Sequence, residues 1–308
     1  MSQLIYIVSC QRSGSTLLDL MLSQHSKIQG VGEVAKLFDY ASNDKLCTCG
    51  KSVLECEFWS QVTERFKEKV NFKVEGVFLE DRYDCLIKCE NYSFLKSNLE
   101  KLLLLKSNNK RVKQLWKKLF SDHVNTCKMS EFWYDSFLGI SGKAFLLDSS
   151  KDIRRMMVLS TLKESDFYII YLVRDGRGVV NSLMKRWNLS VQAASKMWLQ
   201  KNQQIQLALK SVAHKHPVQW LKYEMLCADP VLTMKGIAEF LNVDYEGAMT
   251  QLDKSASHNI GGSPTRLDKS INRVEQDLAW KKALNNQDLA IFENIAGKLN
   301  KRLGYDIT

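Results

Sequence analysis

The chain has 308 residues, a net charge of +10 and 45% hydrophobic residues. That length and apolar share suit one large α/β domain or two small ones with a sizeable core, and a count of three prolines argues against long structureless linkers. The basic balance calls for an anionic partner, whether nucleic acid, a membrane surface or a phosphorylated cofactor.

The chain begins with a buried-strand pattern, Leu4-Ile5-Tyr6-Ile7-Val8. A small-residue turn follows, Ser9-Cys10-Gln11-Arg12-Ser13-Gly14, and then Ser15-Thr16 opens an apolar helical run from Leu17 to Leu22. Such a turn gathers backbone N–H groups, a helix N-terminus and the Arg12 cation around one point, which is a phosphate-binding arrangement. The nucleoside-triphosphatase pattern G-x-x-x-x-G-K-[ST] would need glycine at Ser9 and lysine at Ser15. Both are missing, which points away from ATP hydrolysis. Leu4–Val8 is too short for a signal peptide or a membrane span and runs straight into the phosphate turn. The expected location is therefore the cytoplasm, with the 8 cysteines mostly reduced.

Cys47, Cys49 and Cys56 cluster in Cys-Thr-Cys-Gly…Cys-Glu-Phe-Trp. A zinc site would want a fourth ligand and a C-x-x-C knuckle. The spacing is C-x-C and no histidine is close in sequence. The cluster reads as a buried or disulfide-capable structural turn, and the expected metal complement is none. From about 45 to 142 the pattern is helical and lysine-rich. Val112, Leu115, Trp116, Leu119 and Phe120 form one apolar stripe. This interval reads as a helical insertion, either a cap over a site or a layer with a solvated face.

Three further apolar runs read as strands: Ala144–Leu147, Phe167–Val173 and Val218–Tyr223. Helical patterns separate them, as in a parallel sheet with crossover helices. Asp229 and Pro230 mark one helix start. Leu289, Phe292, Ile295 and Leu299 stripe another helix that stops at Gly304. The expected fold class is α/β, a P-loop-type parallel sheet flanked by helices, in a single domain over 1–308. Ligands of such sheets bind beyond the carboxyl ends of the strands. The strand ends deliver Arg12, Lys151, Arg174 and Arg177 to one edge, with Ser182 about two helical turns past Arg174. That set suits a multiply charged anion with two separated phosphate groups.

Arg12-Ser13-Gly14-Ser15-Thr16 and the pair Arg174, Ser182 resemble the two nucleotide motifs of sulfotransferases that use 3′-phosphoadenosine 5′-phosphosulfate (PAPS). The resemblance is nearest the tyrosylprotein and bacterial branches. It implies that Arg12 to Thr16 bind the 5′-phosphosulfate end and that Arg174 and Ser182 bind the 3′-phosphate. In Gln29-Gly30-Val31-Gly32-Glu33, Glu33 stands where the tyrosylprotein branch has its catalytic base, and Lys151 matches a lysine at the sulfuryl region. His258-Asn-Ile-Gly-Gly-Ser-Pro-Thr-Arg266 is similar to a stretch of bacterial members, which implies that Gly261, Gly262 and Arg266 fold over the nucleotide.

Transfer would be an in-line displacement with charge building on the leaving oxygen. Arg12 and Lys151 would stabilise that charge, and Glu33 would take the acceptor proton from a partly buried position that raises its pKa. His25 is the second candidate base. Asp175 and Arg177 read as helix-start and packing residues, and Lys222-Tyr223-Glu224 as scaffold. The expected acceptor is a small hydroxylated metabolite, ahead of a glycan, a protein tyrosine or an amine, with neither nucleic acid nor membrane as partner. Two rivals belong to other classes: a P-loop kinase, and a non-catalytic basic module binding nucleic acid.

Overall fold

The computed structural model describes residues 3–70, 94–163, 166–254, 257–268, 270 and 273–305; part of the helical insertion, 71–93, lies outside them. Five parallel strands form the sheet: β1 (Gln3–Ser9), β2 (Ile28–Gly30), β3 (Phe145–Asp148), β4 (Phe167–Val173) and β5 (Val218–Lys222), in the order β2-β3-β1-β4-β5. β1 is central because its Leu4–Val8 core is apolar and buried on both faces. Leu4, Tyr6 and Val8 enter one core layer and Ile5 and Ile7 the other. Side-chain alternation along a strand requires this split, and burial on both faces explains the unbroken apolar run.

The helices that position the site are α1 (Ser15–Ser23), α2 (Leu37–Ser42), α3 (Glu57–Val70), α4 (Phe94–Leu105), α5 (Lys110–Leu119), α6 (Ser121–Ser141), α7 (Ile153–Leu162), α8 (Gly176–Trp187), α9 (Val191–Val212), α10 (Tyr223–Ala228) and α11 (Pro230–Leu241). The chain leaves β1 toward β2 and β3 on one side and later reaches β4 on the other. The turn after β1 therefore stands where the strand order reverses, and such a switch point opens a crevice.

Four strand readings agree with the structure to within a residue or two. β2 was not foreseen, because three residues ending in Gly30 carry no periodic signal. The start of α11 is as read: Asp229 accepts the Leu232 N–H at 2.8 Å, with Pro230 at its first turn. The last helical stripe differs. Asn286–Phe292 passes through a π-helical turn, Glu293–Gly297, before Lys298–Arg302. The wider turn inserts a residue, so Ala296 is buried where Ile295 was expected. Asn300 then reaches the Gly176 N–H at 2.8 Å.

The insertion enters through a non-helical turn over 45–56 and is then helical over nearly all its described residues, as α3 to α6. Of its apolar stripe, Trp116 and Phe120 are buried while Leu115 and Leu119 are half exposed. The layer is fixed to the sheet where Tyr134 of α6 meets a buried ion pair between β3 and α7. Asp148, at the end of β3, is fully buried and takes Arg155 Nε at 3.1 Å, the Tyr134 hydroxyl at 3.1 Å and the Ser150 N–H at 2.9 Å. Removing one member of such a pair leaves an uncompensated charge, at a cost of about 3–5 kcal/mol. Arg155→Ala is therefore expected to lower unfolding stability by about that amount. Urea titration checks it through a lower midpoint at unchanged slope.

Candidate active site

The turn after β1 is built on two left-handed residues, Arg12 at φ 67° and Gly14 at φ 91°. Gly14 is required twice over: its φ disfavours a side chain, and an added Cβ would lie 2.4 Å from the Tyr223 ring. The alternation turns N–H groups inward, as in an anion nest. Ser13 Oγ is buried and has no hydrogen-bond partner among the described residues.

Four strand ends supply the rest. Lys151, after β3, donates from Nζ to Glu33 Oε1 and to Ser15 Oγ, the latter at 3.1 Å. Glu33 follows β2 and is almost wholly buried; its second oxygen meets Lys36 Nζ at 2.6 Å. Arg174, after β4, donates to the Arg12 carbonyl at 3.0 Å and to the Asp277 carboxylate at 3.0 Å. Tyr223, at the end of β5, lays its ring 4.6 Å below the Arg174 guanidinium. Arg12 Nε donates to Ser182 Oγ at 2.8 Å.

A strap from 257 to 268 crosses above these ends. The Glu33 N–H donates to the Ile260 carbonyl at 2.7 Å, and the Ser263 N–H to Thr16 Oγ1 at 3.0 Å. Beneath strap and insertion lies a cavity of about 1200 Å³. Its lining includes Arg12, Gly14, Ser15, Thr16, Glu33, Lys151, Arg174 and Gly262, together with Ser97, Lys101 and Leu104 of α4. Nine lysine or arginine residues line it against four carboxylates. The crowding is felt electrostatically: burial, then Arg186 and Arg174, hold the Arg12 pKa below its ordinary value.

Glu33 departs from expectation. Burial alone pushes its carboxyl up, but Lys151 and then Lys36 outweigh burial and hold it below the usual range. It is ionised at neutral pH.

Several of the residues read from sequence stand outside the cavity lining. Ser13 and Ser182 sit behind the turn, and Gly261 packs its backbone against Glu33, where a Cβ would lie 2.5 Å from the Glu33 Cβ. Arg266 is turned away; it is buried and donates to the Leu46 carbonyl at 2.6 Å and the Tyr40 hydroxyl at 3.2 Å, which ties the strap to the insertion. His25 is also remote, with Nε2 2.9 Å from the Asp244 carbonyl and Nδ1 accepting the Lys27 N–H at 2.9 Å. Asp175 caps α8 and pairs with Arg177, which stacks on Trp280 at 4.3 Å, as the packing reading had it. Sequence reasoning missed Tyr223 as a wall of the site, and it missed Asp277, Arg186 and Lys201. A tyrosine just past a strand end was a usable signal for the first; nothing in the local pattern marked the others.

A parallel sheet with a left-handed turn at its switch point, lacking the triphosphatase lysine and ringed by arginine and lysine, defines a P-loop-type α/β protein. The chain belongs to the sulfotransferase family, whose domain model matches residues 3–304. The sulfotransferase domain of the Synechococcus PCC 7002 olefin synthase is 18% identical; the match covers 99% of this chain and 95% of that one, with a TM-score of 0.58. The sulfotransferase domain from the curacin biosynthetic pathway is also 18% identical, over 100% and 99%, with a TM-score of 0.50. No curated protein matches the chain.

Because its folded pKa is lowered, Glu33 contributes stability that is full above its unfolded value and lost as pH falls through the folded one. Lys36→Ala is expected to raise the Glu33 pKa, read by carboxyl carbon NMR. The same substitution should lower stability at pH 7, with the gap to wild type closing below about pH 4.

Proposed function

We propose that this sulfotransferase takes its sulfuryl group from PAPS and passes it to a hydroxyl or amine of a small-molecule acceptor, with Glu33 as base. The observation that carries this reading is the Glu33–Lys151–Ser15 chain: one ammonium bridges a buried carboxylate and the phosphate turn.

The residues fit a bisphosphorylated nucleotide. The left-handed turn offers backbone N–H donors for one phosphate group. Arg174, opposed by a half-exposed Asp277, offers a cation for a second. Gly262 packs closely on Thr16, where an added Cβ would lie 2.5 Å from Thr16 Oγ1. PAPS supplies an activated sulfuryl group and a stable nucleotide leaving group. Arg12, Lys151 and the N–H groups of the turn stabilise charge on the oxygen that departs. Glu33 accepts the acceptor proton at a carboxylate oxygen. Lys36 is half exposed and Lys151 is not, so Oε2 is the oxygen that comes free when an acceptor displaces Lys36. A base held ionised well below neutral pH is in its working form throughout the physiological range.

The cavity volume suits a nucleotide and an acceptor side by side. Leu104 and Met157 give the acceptor end an apolar wall. The small-molecule acceptor is also supported by the settings named for the two similar domains, an olefin synthase and the curacin biosynthetic pathway. Among the described residues no helix is long and apolar enough to cross a membrane.

Calorimetry of 3′-phosphoadenosine 5′-phosphate (PAP) and AMP, without magnesium, tests the donor. Wild type should prefer PAP, and Arg174→Ala should lose that preference; equal affinities in wild type would overturn the PAPS assignment. Glu33→Gln should keep PAP affinity and lower kcat by about 10²- to 10⁴-fold. A kcat within threefold of wild type would remove Glu33 from the base role.

A further inference from the structure

Cys47, Cys49, Cys56 and His258 have no part in the transfer chemistry. The three cysteines belong to the turn that enters the insertion, and the histidine opens the strap. Their ligand atoms all lie within 4.8 Å of one another. Cys56 Sγ is 3.6 Å from Cys49 Sγ, 3.9 Å from Cys47 Sγ and 3.4 Å from His258 Nδ1. Cys47 Sγ is 4.0 Å from the same nitrogen.

These distances are the edges of a small tetrahedron. Zinc bonds of about 2.3 Å to sulfur and about 2.0–2.1 Å to nitrogen, at tetrahedral angles, separate two sulfurs by about 3.8 Å and sulfur from nitrogen by about 3.6 Å. A disulfide would bring two sulfurs to about 2.05 Å. It would also leave the third thiol and the imidazole unexplained. An iron–sulfur cluster would need its cysteine sulfurs spread around several metal ions, and this group has room for one.

We propose that Cys47, Cys49, Cys56 and His258 bind one zinc ion in a closed structural site that joins the insertion to the strap over the base. Three thiolates and an imidazole are the donor set that selects zinc, and four protein ligands leave no open position for chemistry.

The surroundings are those of a ligand shell. The Gly50 N–H closes a tight turn on the Cys47 carbonyl at 3.0 Å, and Gly50 has φ 89°. Backbone N–H groups of Cys49 and Trp59 point at the sulfurs of Cys47 and Cys56, the kind of hydrogen bond that orients a thiolate ligand. The Phe58 ring stacks on the His258 ring at 4.7 Å, and Trp59 Nε1 donates to the His258 carbonyl at 3.0 Å. Both contacts fix the imidazole with Nδ1 facing the sulfurs.

The consequence reaches the active site through two residues of chain. Asn259 donates to Asp19 on α1 at 2.6 Å, and Ile260 takes the Glu33 N–H at 2.7 Å. A metal at His258 therefore anchors the segment that holds the base. It closes a loop of 202 residues between Cys56 and His258, and such a long-range clip restrains the unfolded chain strongly.

The test begins with the wild-type chain, purified under reducing conditions with any affinity tag removed, and elemental analysis by mass spectrometry. About one zinc per chain is expected, and cobalt exchange should give the visible absorption of a tetrahedral thiolate site. Stripping with a chelator should lower Tm, and zinc should restore it. Cys49→Ser and His258→Ala should each reduce bound zinc at least tenfold, while Cys227→Ser retains it. Two results overturn the proposal: wild type that stays metal-free after incubation with zinc, or zinc and the cobalt spectrum retained in both His258→Ala and Cys49→Ser. None of these readouts depends on the donor or acceptor assigned above.

Discussion

The site depends on one constraint: too much positive charge is brought to one edge of the sheet. Parallel strands all end on the same side, so every basic residue placed just after a strand arrives there. Arg12, Lys151 and Arg174 do so from β1, β3 and β4. Buried like charges are tolerated only with compensation. The protein supplies part of it internally, through Glu33 against Lys151 and Asp277 against Arg174. Burial, with Arg186 and Arg174 nearby, still holds the Arg12 pKa below its ordinary value.

The same constraint gives Glu33 a double character. Its carboxylate neutralises Lys151, and it stands beside the turn proposed to hold the sulfuryl donor. The partial burial expected to raise its pKa is present, yet the two ammonium groups outweigh it. A base poised by burial alone would be protonated part of the time near neutral pH. In the base role proposed for it, a carboxylate held by lysines would stay ionised, and its proton affinity would rise only when an acceptor loosened one of them. Strap, insertion and α1 all lock onto this corner: Ile260 on the Glu33 backbone, Ser263 on Thr16, and Arg266 on the Leu46 carbonyl.

Legibility from sequence followed locality. The phosphate turn, the cations after β3 and β4, the caps of α8 and α11, and four of five strands were visible because each is encoded within a dozen consecutive residues. What the sequence left out has the opposite cause. Arg266 reads as a nucleotide residue from its place in a glycine-rich stretch, but its guanidinium donates to the Leu46 carbonyl of the insertion and the Tyr40 hydroxyl of α2. The cysteine cluster shows no histidine within its own stretch of sequence, whereas His258 reaches it across the fold.

What the sequence determined by itself is the edge: hydrophobic runs of fixed period make parallel strands, and residues at their ends must share one side of the sheet. That logic needs only backbone geometry and the pattern of burial. What the tertiary structure alone decided is which groups face one another at that edge. The contact of Glu33 with Lys151, the tyrosine beneath Arg174, the rotation of Arg266 away from the cavity and the meeting of His258 with three cysteines all join segments far apart in the chain. Side chains make such contacts only once packing has chosen among many partners of similar chemistry, and no local pattern carries that choice.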